Sequence, residues 1–111
     1  TGTHDNDTLF GWLKSIRTTD PGLYAAVTAY ADEDETIRPH HLVRSLIDAV
    51  LKSEARVAVI PVQDWLGLGE GARMNCPSTC NGNWCWRLAG GELTPKLALQ
   101  IRKMVHRAKR C

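Results

Sequence analysis

Apolar residues recur at intervals of three and four in four stretches of the chain, and a fifth stretch is apolar without a break. Asp5, Asn6 and Asp7 precede Leu9, Trp12, Leu13 and Ile16, which predicts a short helix with acidic residues at its N-terminus; Gly11 weakens it. Asp20-Pro21 is a cap followed by proline at the first helical position, and Leu23, Ala26, Val27 and Tyr30 carry the next stripe to about residue 31. Asp32 to Glu35 reads as a solvated connection. Pro39 opens the strongest helical signal, with Leu42, Val43, Leu46, Ile47, Val50 and Leu51 on one face. Thr94-Pro95 starts the last helix, whose apolar face is Leu97, Ile101, Met104, Val105 and Ala108.

The unbroken run, Val57 to Val62, is β-branched and predicts a strand buried on both faces of a parallel sheet. Gln63 to Gly91 is irregular, with six glycines, Pro77 and three tryptophans; a loop of that length is uncommon unless functional. The order is therefore polar motif, helices, one buried strand, long loop and closing helix, which is the end of an α/β repeat. A parallel strand needs partners and crossover helices. Residues 1–111 supply one full strand and the tail of another at Thr1 to His4, so they are expected to be the C-terminal portion of a (β/α)8 barrel whose upstream part is absent. In such barrels the chemistry sits at the C-terminal ends of strands and in the loops that follow. Both polar motifs fall there.

Composition narrows the picture by exclusion. With 111 residues, 43% of them hydrophobic and 23% charged, the chain has the make-up of a globular protein with a modest core. A formal net charge of +2 is too small to imply a nucleic-acid or membrane partner. No stretch approaches the roughly 18 apolar residues of a membrane span, and the N-terminus lacks a signal-peptide layout, so a cytoplasmic location is expected. The basic residues Arg102, Lys103, Arg107, Lys109 and Arg110 meet the negative end of the last helix's dipole. Cys76, Cys80 and Cys85 lie as C-x3-C-x4-C, and with Cys111 they lack the second ligand pair of a zinc site; they read as free thiols, a residue type often buried.

Two motifs carry candidate chemistry. The first is Thr1-Gly2-Thr3-His4-Asp5-Asn6-Asp7-Thr8; the second is Val62-Gln63-Asp64-Trp65-Leu66-Gly67-Leu68-Gly69, then Ala72-Arg73-Met74-Asn75, ending in Gly82-Asn83-Trp84-Cys85-Trp86-Arg87. Together they resemble the amylomaltase, or disproportionating-enzyme, family of 4-alpha-glucanotransferases, whose T-G-T-H-D-N-D-T, P-x-Q-D-x-L-G-L-G and A-R-M-N-x-P…G-N-W-x-W-R patterns occur in order. The resemblance is most specific over residues 1–12 and 59–87. Ser78 departs from it, standing where glycine is usual.

The resemblance implies the end of barrel strand 7, helices, strand 8, an active-site loop and the final helix. It implies transfer of α-1,4-glucan segments between maltooligosaccharides, or starch- and glycogen-derived glucans, through a covalent glucosyl-enzyme intermediate. Asp5 matches the carboxylate that stabilises the transition state, and His4 would donate to a hydroxyl of the same sugar. Asn75 and Arg73 would meet sugar hydroxyls from the loop after strand 8. Trp65, Trp84 and Trp86 would stack on sugars or pack the loop, and packing is favoured for the last two because their rings bury large areas. Gln63 and Asp64 would orient the loop through its backbone. No metal or organic cofactor is implied. The nucleophile and the acid/base carboxylate, about 5 Å apart in retaining enzymes, are not among these residues, so the chain alone is expected to be inactive.

Two rivals make other demands. A metal-dependent phosphohydrolase would use His4-Asp5 with further ligands, but His40 and His41 diverge by about 100 degrees on a helix. A helical module binding nucleic acid or protein through the basic last helix leaves the apolar run and tryptophan loop unexplained, and predicts binding that weakens steeply with salt.

Overall fold

The computed structural model describes residues 1–110; Cys111 lies outside the described residues. Five helices and one 3-10 turn follow in order: α1 (Leu9–Thr19), α2 (Pro21–Tyr30), α3 (Pro39–Lys52), α4 (Val62–Trp65), the turn Glu70–Ala72, and α5 (Pro95–Arg107). Capping accounts for the boundaries. Thr8 accepts from the Gly11 amide and starts α1. Asp20 ends α1 and, with Pro21 at the first position and its side chain accepting from the Leu23 amide, starts α2. Thr94 caps α5 in the same way through the Leu97 amide.

The core gathers Leu9, Leu13 and Ile16 of α1, Tyr24 of α2, Met104 of α5, and Leu42, Val43, Leu46, Ile47 and Leu51 of α3. α3 is thus the central element, as its continuous stripe predicts. The phenol of Tyr24 donates to the Ile37 carbonyl at 2.7 Å, tying α2 to the connection before α3. Burial pushes that phenol up from its ordinary value, and the Arg17 guanidinium partly offsets the shift. α5 packs less deeply, burying only Met104. Its basic tail serves α3: Arg110 donates to the Leu51 and Ser53 carbonyls, and Arg107 lies 3.4 Å from Asp48. The Arg110 bonds serve the Leu51 carbonyl in the last turn of α3, which has no partner within that helix, and the carbonyl of its capping residue Ser53.

The expected strand is not formed. Residues 57–61 carry no regular structure, Val62 begins α4, and no β-strand occurs among the described residues. A strand exists through ladder bonds to a neighbour, and this run has no neighbouring ladder to join. Nor is it buried on both faces: Ala58 and Ile60 pack against the core, while Val57 and Val59 are 76% and 67% exposed because no layer covers that side. Thr1 to His4 is likewise not a strand, although the Thr1 amine donates to the Val59 carbonyl at 2.6 Å and sets the two segments side by side. The cysteines correct the sequence reading too. Cys76, Cys80 and Cys85 are free but exposed, since their loop lies off the helical core.

Candidate functional site

The spacing Thr3-His4-Asp5-Asn6 folds as a tight turn. The Asn6 amide donates to the Thr3 carbonyl at 3.1 Å, and the Asn6 side-chain oxygen accepts from the Thr3 amide at 2.7 Å and the Thr3 hydroxyl at 2.9 Å. His4 and Asp5 occupy the tip of this turn, about half exposed. The next residues hand the turn to α1: the Thr8 amide donates to Asp7 Oδ1 at 2.7 Å, and Thr8 caps the helix.

The second motif packs against this turn from across the sequence. Asp64 is buried and accepts from the Leu9 amide at 2.8 Å, and Thr1 Oγ1 donates to its other oxygen. Gln63 Nε2 donates to the Ala72 carbonyl at 3.2 Å, steadying the chain that leads to Arg73. Both residues therefore organise backbone. Arg73 Nη2 then donates to the Asp5 carbonyl at 3.1 Å, and the Asn75 amide to the His4 carbonyl at 3.1 Å. Asn75 Nδ2 donates to Asp5 Oδ1 at 2.6 Å, a charge-assisted bond joining residues 70 apart. His4 Nε2 lies 3.3 Å from Asp5 Oδ2.

The sequence candidates divide clearly. His4, Asp5, Arg73, Asn75 and Trp84 come together, the Trp84 ring centroid lying 5.0 Å from that of His4. Trp65 does not join them; it packs against the core and lines a groove with His41 and Met104. Trp86 is half-buried, and its carbonyl accepts from Arg87 Nη1 at 2.9 Å. Several supporting residues stand in the motifs, but the sequence assigns them no role. Asn83 is the hub of the loop: its Oδ1 accepts from the Cys76 amide at 2.8 Å, and its Nδ2 donates to the Thr79 carbonyl and hydroxyl. Thr3 and Asn6 were legible in principle, because an amide side chain three residues after a threonine is a turn signal. Asn83 carried no such local sign.

Between the two motifs is a cavity of about 320 Å³ bordered by Thr3, His4, Asn6, Gln63 and Arg73. Asp5 and Asn75 do not border that cavity but lie beside its His4 and Arg73 edge: the half-exposed Asp5 carboxylate meets the Asn75 amide and the His4 imidazole, while the Arg73 guanidinium holds the Asp5 backbone carbonyl, a set suited to hydrogen-bonding a neutral polyhydroxyl ligand. No group of three or more His, Cys, Asp or Glu among the described residues is placed to hold a metal ion. No helix among them is long and apolar enough to cross a membrane.

The sequence profile of the 4-alpha-glucanotransferase family matches residues 1–94. The chain belongs to that family. A 4-alpha-glucanotransferase of Thermus thermophilus is 46% identical over 112 aligned residues, covering 99% of this chain and 22% of the relative. A chloroplastic/amyloplastic 4-alpha-glucanotransferase of Solanum tuberosum is 38% identical, over 94% of this chain and 17% of its own length. The chain thus spans about a fifth of these 4-alpha-glucanotransferases. In fold it is similar to an amylomaltase from Streptococcus agalactiae solved in complex with acarbose, with a TM-score of 0.83 at 22% identity, covering 98% of this chain and 21% of that one. The helices and loops described here therefore take the arrangement of one segment of an amylomaltase.

Proposed function

We propose that residues 1–111 form one wall of the glucan cleft of a 4-alpha-glucanotransferase, with Asp5 as the carboxylate that stabilises the transition state. The observation that carries this reading is the 2.6 Å bond from Asn75 to Asp5, which joins the family's two separated motifs around one half-exposed carboxylate. The substrates are α-1,4-glucans and maltooligosaccharides, the setting is the cytoplasm, and no cofactor takes part. In this reading Val57–Pro61 and Thr1–His4 are ends of barrel strands 8 and 7, and partner strands lying outside these residues cover Val57 and Val59.

The reaction is a retaining double displacement. A nucleophilic carboxylate outside residues 1–111 attacks the anomeric carbon, and a carboxylic acid, also outside them, protonates the departing 4-oxygen. The same group then takes the proton from an acceptor's 4-hydroxyl as that oxygen displaces the enzyme carboxylate. Positive charge builds on the ring in both steps, and hydrogen bonds from ring hydroxyls to Asp5 strengthen as it builds, lowering the barrier without a bond to Asp5. His4 donates to a hydroxyl of that sugar; Arg73 and Asn75 hold the turn and border the sugar.

The experiment places residues 1–111 after the upstream barrel of the Thermus relative and measures maltotriose disproportionation with and without Asp5→Asn. Glucose and longer maltooligosaccharides are expected from the chimera, with a loss of about 10³-fold in the folded variant. Equal activity would leave Asp5 only the structural role of accepting from Asn75, and a folded, inactive chimera would overturn the glucanotransferase reading.

A further inference from the structure

Trp84 adopts a φ of +62°, the left-handed region that bulky L-residues avoid. Strain of this kind persists only where surrounding contacts over-determine it. Here they do. The Trp84 amide donates to the Met74 carbonyl, next to Asn75, and the Trp84 carbonyl accepts from Arg87 Nη1 at 3.0 Å. Arg87 Nη1 also holds the Trp86 carbonyl, so one guanidinium pins the turn on both sides. Glycine would meet these backbone demands without strain, so the tryptophan must be explained by its ring.

That ring does little for the core. It is 52% exposed, and its aromatic partner is the His4 imidazole, at 5.0 Å between centroids and 44° between planes. The same imidazole has its Nε2 3.3 Å from Asp5 Oδ2. We propose that Trp84 is a positioning residue for His4: its strained turn presents the indole as a wall that aims the imidazole at Asp5 and at the ligand bound there. The geometric claim stands on this chain alone, while its catalytic consequence rests on the glucanotransferase reading.

Two arms keep these claims apart. In the 111-residue chain, the ring-proton resonances of His4 are followed by NMR in the native chain, Trp84→Phe and Trp84→Gly. The indole ring current should shift them in the native chain, Trp84→Phe should keep part of the shift, and Trp84→Gly should abolish it without lowering Tm, because glycine relieves the left-handed turn. In the chimera, Trp84→Gly should lower kcat by about 10- to 100-fold at nearly constant KM, with partial recovery in Trp84→Phe. Unmoved His4 resonances would overturn the proposal. So would a fall in Tm that accounts for the lost kcat, which marks a packing residue, or a rise in KM at constant kcat, which marks a sugar-stacking face. Moved resonances in the 111-residue chain, beside a chimera whose native form is folded and inactive, would uphold the positioning and sink the glucanotransferase reading instead.

Discussion

Asp64 joins the two motifs, and removing its carboxylate should loosen the start of α1. The buried Leu9 amide loses a charged acceptor at 2.8 Å. A hydrogen bond to a charged group contributes about 1.5–3 kcal/mol. A carboxylate at a helix N-terminus adds about 0.3–1 kcal/mol through the dipole. Asp64→Ala should therefore cost about 3 kcal/mol, since no other group in the site replaces the acceptor. Asp64→Asn keeps an oxygen for the Leu9 amide and lets the Thr1 hydroxyl turn to accept from the new amide, so it should cost only about 1 kcal/mol. Urea unfolding gives the global difference. Hydrogen exchange at Leu9 gives the local one, expected to quicken by about 10²-fold in Asp64→Ala at 1.4 kcal/mol per factor of ten. If Asp64→Ala leaves both the midpoint and the Leu9 exchange rate unchanged, or if the two variants cost the same, the carboxylate does not hold the helix start.

Two further substitutions test the fold. Ser78 takes a φ of +66° at the position where the family resemblance expects glycine; Ser78→Gly should relieve about 1 kcal/mol of local strain and slow proteolytic nicking of residues 76–85, and faster nicking would refute this. Tyr24 has its pKa raised by burial, so it binds its proton more tightly when folded than when unfolded. The stability this contributes is complete below about pH 10 and is lost as pH rises through the higher folded-state value. Tyr24→Phe should flatten that alkaline loss in pH-dependent urea titrations while costing about 1 kcal/mol at neutral pH through the bond to Ile37, and an unchanged alkaline slope would locate the titration elsewhere.

Much of the architecture was legible residue by residue. Asp20-Pro21, Pro39 and Thr94-Pro95 mark helix starts because capping and proline geometry act within one turn, and the α3 stripe announces the central helix; the sequence reading starts α1 from Asp5 to Asp7, whereas its cap is Thr8 and its first turn holds no acidic residue. The motifs also named His4, Asp5, Arg73 and Asn75 as a set, though no local rule states that Asn75 donates to Asp5 across 70 residues. Trp84 could be read only as a large aromatic in a glycine-rich loop; its left-handed backbone and its ring against His4 exist only when the loop is closed by Asn83 and Arg87.

The four longer helices and the Asp20 and Thr94 starts followed from the sequence by itself, because each depends on neighbours within a few positions, and the candidate residues followed from the family motifs; α4 did not, since its first residue reads as strand and the rest as loop. The fate of Val57 to Val62 did not. Its β-branched composition favours extension, but a strand is a relation between two segments, and without a ladder partner residues 57–61 take no regular structure, lie open on the Val57 and Val59 side, and give way to α4 at Val62. The tertiary structure alone decided that, as it decided which donors face Asp5, since distances across the chain are set by packing rather than by spacing.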